Sequence, residues 1–117
     1  MEEVFYSVVK LKNGEELFSN VCPTVEDNVD LLLLYYPITI TRVRTKEGLT
    51  YSVEPWIKIG NESIFPIRKE DILTMSEIED EHLIELHNRY VSTREDDTGN
   101  ISFNDAIQKL ERIYNGS

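Results

Sequence analysis

Arg42, Arg44 and Lys46 stand two residues apart in TITRVRTKEG, a stretch that reads as a strand running into a turn. Alternate residues of a strand share a face, so the three cations form one row, and such rows hold phosphate backbones. Lys58 and the pair Arg68-Lys69 are further cations in the same part of the chain, and Tyr35, Tyr36, Tyr51 and Trp56 offer flat rings on which unpaired bases stack. The same residues have a second reading, in which the rings fill the inside of the sheet and the cations keep an edge strand from pairing with other chains.

Other chemistry is sparse. His82 and His87 are five apart, so on a helix they point about 140° away from each other and cannot share a metal. Glu79 and His82 form one Glu-x-x-His pair, whereas carboxylate-bridged metal sites need two such pairs with further glutamates. Residues 94–105 can be set against the calcium loop of an EF-hand, with Gly99 at its sixth position, Ile101 at its eighth and Asp105 at its last. Arg94 then occupies the first ligand position, where Ca²⁺ needs an oxygen, and an acidic linker ending in a helix cap explains the same residues. The single cysteine, Cys22, excludes an intrachain disulfide and reads as a buried thiol. The five glycines are scattered singly, so no phosphate-cradling loop exists, and no Ser-His-Asp or Cys-His arrangement is supported by spacing. We expect no enzyme, no cofactor and no metal site.

The 117 residues suffice for one core, with 40% hydrophobic and 29% charged side chains as in ordinary globular proteins. The longest strongly apolar run, Leu31 to Tyr36, is far short of the ~20 residues that span a bilayer, and the opening MEEVFYSV lacks the basic flank of a signal peptide. A cytoplasmic chain with no membrane partner is expected. The net charge of −10 is uneven: residues 1–70 carry 8 basic and 11 acidic side chains, residues 71–117 carry 4 and 11. Nucleic acid should therefore be repelled unless the few cations gather on one surface.

The elements that must position these residues are strands first and helices after. Asn13-Gly14 between two β-prone runs signals a hairpin whose two turn residues need φ > 0. A polar stretch, 23–28, leads to a third strand from about Val29; Lys46-Glu47-Gly48 turns it into LTYSVEPWIKIG, and Gly60-Asn61 turns again before SIFPI, giving four or five strands. Ile38 and Ile40 share a parity that Val43 breaks, so a bulge near Thr41-Arg42 would restore the pattern. Tyr51, Val53, Ile57 and Ile59 keep one parity, with Trp56 opposite. Pro37, Pro55 and Pro66 mark edges or bends, and short, bent, edge-rich strands favour a small barrel over a flat sheet. One helix is expected from Thr74 or Ser76, each followed three residues later by a glutamate, with Ile78, His82, Leu83, Leu86 and Tyr90 as its apolar stripe. A second is expected from Ser102 to near Gly116.

The order VVKLKNGEELFSNV, LLLLYYPITI, LTYSVEPWI and IFPIRKEDIL resembles the Sm-like fold of LSm proteins and bacterial Hfq, and especially the small Sm-like proteins of marine T4-like phages. Leu11, Gly14, Leu17 and Val21 match the first Sm motif, and the resemblance covers roughly residues 4–74. It implies a mainly β protein with α: a small, strongly bent five-stranded Sm-like (SH3-like) barrel over residues 1–74. A C-terminal extension of two α-helices over 75–117 would pack on the barrel or on a neighbouring subunit. It also implies assembly edge to edge into a homo-oligomeric ring, and binding of uridine- or adenine-rich single-stranded RNA. Sm proteins usually open with a helix, for which MEEVFYS leaves almost no room, and the stretch assigned to the second Sm motif, IKIGNESIF, has neither Arg-Gly nor Lys-His; Lys58 and Asn61 are the residues carried over there. The candidate RNA contacts are thus Arg42, Arg44, Lys46, Lys58 and Asn61. The alternative is a protein-interaction or assembly module that binds no nucleic acid and meets a basic protein partner through its acidic surface.

Overall fold

The computed structural model describes residues 3–95. Its elements are strands β1 (Phe5–Leu11), β2 (Glu16–Glu26), β3 (Val29–Thr45), β4 (Gly48–Pro55) and β5 (Ile64–Arg68), a 3₁₀ turn (Lys69–Asp71), strand β6 (Ile72–Glu77) and helix α1 (Glu81–Glu95). The second helix expected from Ser102 and nearly all of the 94–105 loop lie outside the described residues. All strands join one antiparallel sheet in the order β4-β3-β2-β1-β6, with β5 added beside β3. The long β3 serves two partners, pairing β5 through Leu31–Tyr35 and β4 through Ile38–Thr45.

Between those halves the strand bends. Tyr36 sits at φ 49°, and the β2–β3 register slips there, with Phe18 facing Ile38 and Asn20 facing Tyr35. Pro37 follows and has no N–H for the ladder, which makes this the place where an extra residue disrupts least. The bulge expected near Thr41-Arg42 is therefore earlier in the strand. β3 and β4 stay in unbroken register from Ile38 opposite Pro55 to Thr45 opposite Gly48. Val43 accordingly points away from the core and is 39% exposed.

The turns also divide differently from the sequence expectation. Asn13-Gly14 lies in a longer loop, closed by Gly14 N–H to Leu11 O (2.9 Å) and Leu11 N–H to Glu15 O (2.8 Å), with only Gly14 at positive φ, 97°. The Asn13 carboxamide accepts from the Glu15 N–H, as short polar side chains do in turns. The two-residue turn with both φ positive is instead Asp27-Asn28, at 49° and 65°, joining Glu26 directly to Val29. Asp and Asn tolerate that region better than other non-glycine residues. The polar stretch 23–28 is thus the end of β2 and its turn.

Alternation gives the sheet two buried faces. One carries Val9, Leu11, Leu17, Val21, Leu32, Leu34 and Ile67, with Phe5, Trp56, Phe65, Ile72 and Met75 packed around them. Leu17, Val21 and Leu34 are at most 1% exposed, and each such aliphatic side chain contributes about 1.5–3 kcal/mol by leaving water. Trp56 closes this core, edge-on to Phe65, and donates its indole N–H to Glu15 Oε2 at 2.9 Å. The other face carries Cys22, Leu33 and Tyr35, against which Val4, Tyr36, Ile64 and Val91 pack. Cys22 is 1% exposed.

There are six strands where four or five were expected. Thr74 and Ser76, read as helix caps, belong to β6, which pairs with β1 (Val9 opposite Met75, Ser7 opposite Glu77), so the sheet continues past residue 74. The open N–H and C=O groups along β1 outweigh a local capping pattern. The helix starts later, at an Asp80 cap whose carboxylate accepts from the N–H groups of His82 (2.9 Å) and Leu83 (3.3 Å). That start turns the buried side of α1 to His87, with Leu83, Tyr90 and Val91 partly covered, and leaves His82 exposed. Ile57 and Ile59 also differ from expectation: β4 ends at Pro55, and they are 42% and 90% exposed in the loop that follows.

Candidate nucleic-acid interface

The distal part of the β3–β4 hairpin projects from the core, with residues 41–50 all exposed. Arg42 is opposite Tyr51 and Arg44 opposite Leu49, and unbroken register keeps both arginines on one face, with Lys46 in the turn beyond. Directly opposed residues of an antiparallel pair share a face, so this face of β4 presents Leu49, Tyr51 and Val53 and no carboxylate. Among the described residues Arg42, Arg44 and Lys46 make no ion pair, while Lys58 pairs with Glu54 (3.3 Å) and Arg68 with Glu70 (3.4 Å). Three cations therefore lie along one exposed hairpin without an ion pair among the described residues.

The remaining candidates are elsewhere. Lys58 and Asn61 lie in the loop after β4, exposed, at the opposite end of that strand from Lys46. Eight residues of strand span roughly 25 Å, so the two groups do not converge on one small ligand. Arg68 and Lys69 border a third place, a shallow depression beside the Asp27-Asn28 turn that also receives Asn28, Asp30 and Glu70. Of the aromatic residues singled out, Tyr35 is buried and Trp56 belongs to the core; Tyr51 is half-buried beside the cationic row.

Tyr51 opens onto a cleft of about 410 Å³ between the hairpin and the first turn of α1. Phe18, Ile40 and Leu83 supply apolar lining, and Arg42 from the hairpin and Asp80 and His82 from the start of α1 also line it. The rings of Tyr51 and His82 have centroids 5.7 Å apart, tilted by 52°. This contact is not legible in the sequence, because a helix counted from Thr74 or Ser76 puts His82 in its buried stripe, whereas α1 begins at Glu81. No group of three or more His, Cys, Asp or Glu among the described residues is placed to hold a metal ion.

The other histidine fixes the helix to the bend. His87 is 1% exposed, edge-on to Tyr6 and Phe18, with Nε2 3.1 Å from Tyr35 O and 3.0 Å from Tyr36 O. Both partners are acceptors, so Nε2 carries the proton. Ser19 Oγ donates to the same Tyr35 carbonyl (3.0 Å), and the Tyr6 hydroxyl donates to Asn88 Oδ1 (2.9 Å). His87 thus ties α1 to the two carbonyls at the bend of β3.

The structure is thus one bent antiparallel sheet with buried residues on both faces and Arg42 and Arg44 exposed on one face of its β3–β4 hairpin. The Sm-like domain model matches residues 8–88, and the chain belongs to the Sm-like family. Members of that family are in general non-catalytic and generally form oligomeric rings that bind RNA. No curated protein matches the chain. No helix among the described residues is long and apolar enough to cross a membrane.

Proposed function

We propose that this is a cytoplasmic, ring-forming Sm-like protein that binds single-stranded RNA in a regulatory, non-catalytic role. The observation that carries the RNA reading is Arg42 and Arg44 on one face of a hairpin with Lys46 in its turn, all exposed and without ion pairs among the described residues. A chain of net charge −10 attracts phosphate only where its cations are left uncompensated. Lys58 and Asn61 serve as outlying contacts on a strand long enough to cross several nucleotides. Replacing Arg42 and Arg44 together by glutamate is expected to abolish binding of a short single-stranded oligonucleotide, measured by fluorescence anisotropy; unchanged binding would remove this site.

Ring formation draws support from the two ends of the sheet. Among the described residues β4 and β6 end the main path of the sheet, β5 pairs only with β3, and β4 and β6 each expose a large aliphatic side chain, Leu49 at 64% and Leu73 at 62%. Open ladder groups beside exposed apolar surface favour strand-to-strand assembly, and a head-to-tail contact closes into a ring when its rotation permits. Within the family we group the protein with the small Sm-like proteins of marine T4-like phages, on the stretches from VVKLKNGEELFSNV to IFPIRKEDIL. The second reading, an assembly module for a basic protein partner, rests on the 11 acidic against 4 basic side chains after residue 70. It predicts no salt-sensitive affinity for RNA.

A further inference from the structure

We propose that the cleft between the hairpin and the first turn of α1 receives one nucleobase bearing an exocyclic amino group, taken from the strand whose phosphates lie along Arg42, Arg44 and Lys46. This inference rests on the RNA-binding reading above and specifies what part of the RNA goes where. At about 410 Å³ the cleft is in the range of small-molecule sites, and its lining joins an apolar floor of Phe18 and Ile40 to an aromatic wall of Tyr51 and His82. Every base has a π-face that such a wall accepts.

The distribution of charge selects the occupant. Glu16 and Asp80 both line the cleft, so a phosphate inside it meets carboxylates and is repelled. What carboxylates accept is N–H, and Asp80 uses only one oxygen, Oδ1, in capping the helix among the described residues. Arg42 lines the cleft beside the two carboxylates, while Arg44 follows it on the same face of the hairpin and Lys46 lies in the turn beyond. A cleft with two carboxylates in its lining, continued by cations along the hairpin, matches the split character of a nucleotide, whose base is neutral and carries N–H donors while its phosphate is anionic. Adenine and cytosine offer an amino group to a carboxylate, whereas uracil presents carbonyl oxygens on most of its edge. The site therefore favours adenine or cytosine over uracil.

The test uses the full chain with labelled oligoadenylate, oligocytidylate and oligouridylate of equal length, their affinities read by fluorescence anisotropy at fixed salt. The expected result is tighter binding of the first two than of oligouridylate. Tyr51→Ala should weaken them about tenfold, the loss of one stacked base, while Tyr51→Phe, which keeps the ring, should not. Glu16→Gln, which adds amide donors for uracil carbonyls, should narrow the preference. Equal affinity for all three oligonucleotides overturns the proposal. So does full affinity in Tyr51→Ala alongside lost binding in the Arg42→Glu, Arg44→Glu double variant, a result that leaves the RNA reading standing without the cleft. If the native protein binds none of the oligonucleotides, the RNA reading falls and the cleft proposal with it.

Discussion

His87 holds α1 through a single proton on Nε2, shared between two backbone carbonyls, and its Nδ1 is buried with no partner among the described residues. A second proton would put an uncompensated cation among Tyr6, Phe18 and the bulge. Burial accordingly holds the His87 pKa below its ordinary 6.5, against the opposing pull of the Tyr36 and Tyr35 carbonyls. A histidine with a depressed folded pKa binds fewer protons folded than unfolded in the interval between the two values. Its contribution is complete above about pH 6.5, the unfolded value, and is lost as the pH falls from there through the folded one. Urea unfolding followed from pH 7.5 down to pH 5 should show that loss in the native protein, and a smaller slope in His87→Gln, which can still donate one hydrogen bond but does not titrate. His87→Ala removes the hydrogen bonds to both carbonyls together with a fully buried ring, and should cost about 2–3 kcal/mol at neutral pH. An equal pH slope in native protein and His87→Gln would assign the acid sensitivity to other groups.

Two elements depend on residues whose roles are local enough to test singly. Asn28, at φ 65° in the turn from β2 to β3, tolerates a conformation that a β-branched side chain resists, so Asn28→Val should destabilise by about 1–2 kcal/mol in urea unfolding. Asp80→Ala removes the cap of α1 and should cost about 1 kcal/mol, with reduced helical signal by circular dichroism. The same elements explain what the sequence reveals and what it hides. β1, the start of β2 and the β3–β4 hairpin are legible, because Leu11, Leu17 and Val21 alternate inward and Gly48 ends the Lys46-Glu47 turn. β6 is hidden, because its partner β1 is more than sixty residues away in sequence and Thr74 and Ser76 imitate caps at short range. The bulge at Tyr36 is not legible: the parity break at Val43 that suggested one near Thr41-Arg42 has no bulge behind it, and Tyr36-Pro37 reads as a strand end until β5 is seen to pair just before it. The Arg42–Arg44 face follows from alternation alone. The cleft does not, since it needs the correct helix start and a contact between residues 51 and 82.

At the scale of the molecule, a chain with 22 acidic and 12 basic side chains works on RNA only if its cations are gathered and repeated. A ring does both, multiplying one weak hairpin into several that engage a strand together. Its subunit contacts would fall on the strand edges and the exposed Leu49 and Leu73, so Leu73→Glu on β6 should shift the protein toward monomer with little effect on subunit stability. A monomeric variant should also lose most of its RNA affinity, because each hairpin then acts alone. The most direct measurement is the mass of the purified protein in solution by light scattering, at low and high salt. Assembly through apolar strand edges predicts a closed multiple of the 13.6 kDa subunit that salt does not dissociate; a 13.6 kDa monomer at both salt concentrations would contradict the ring.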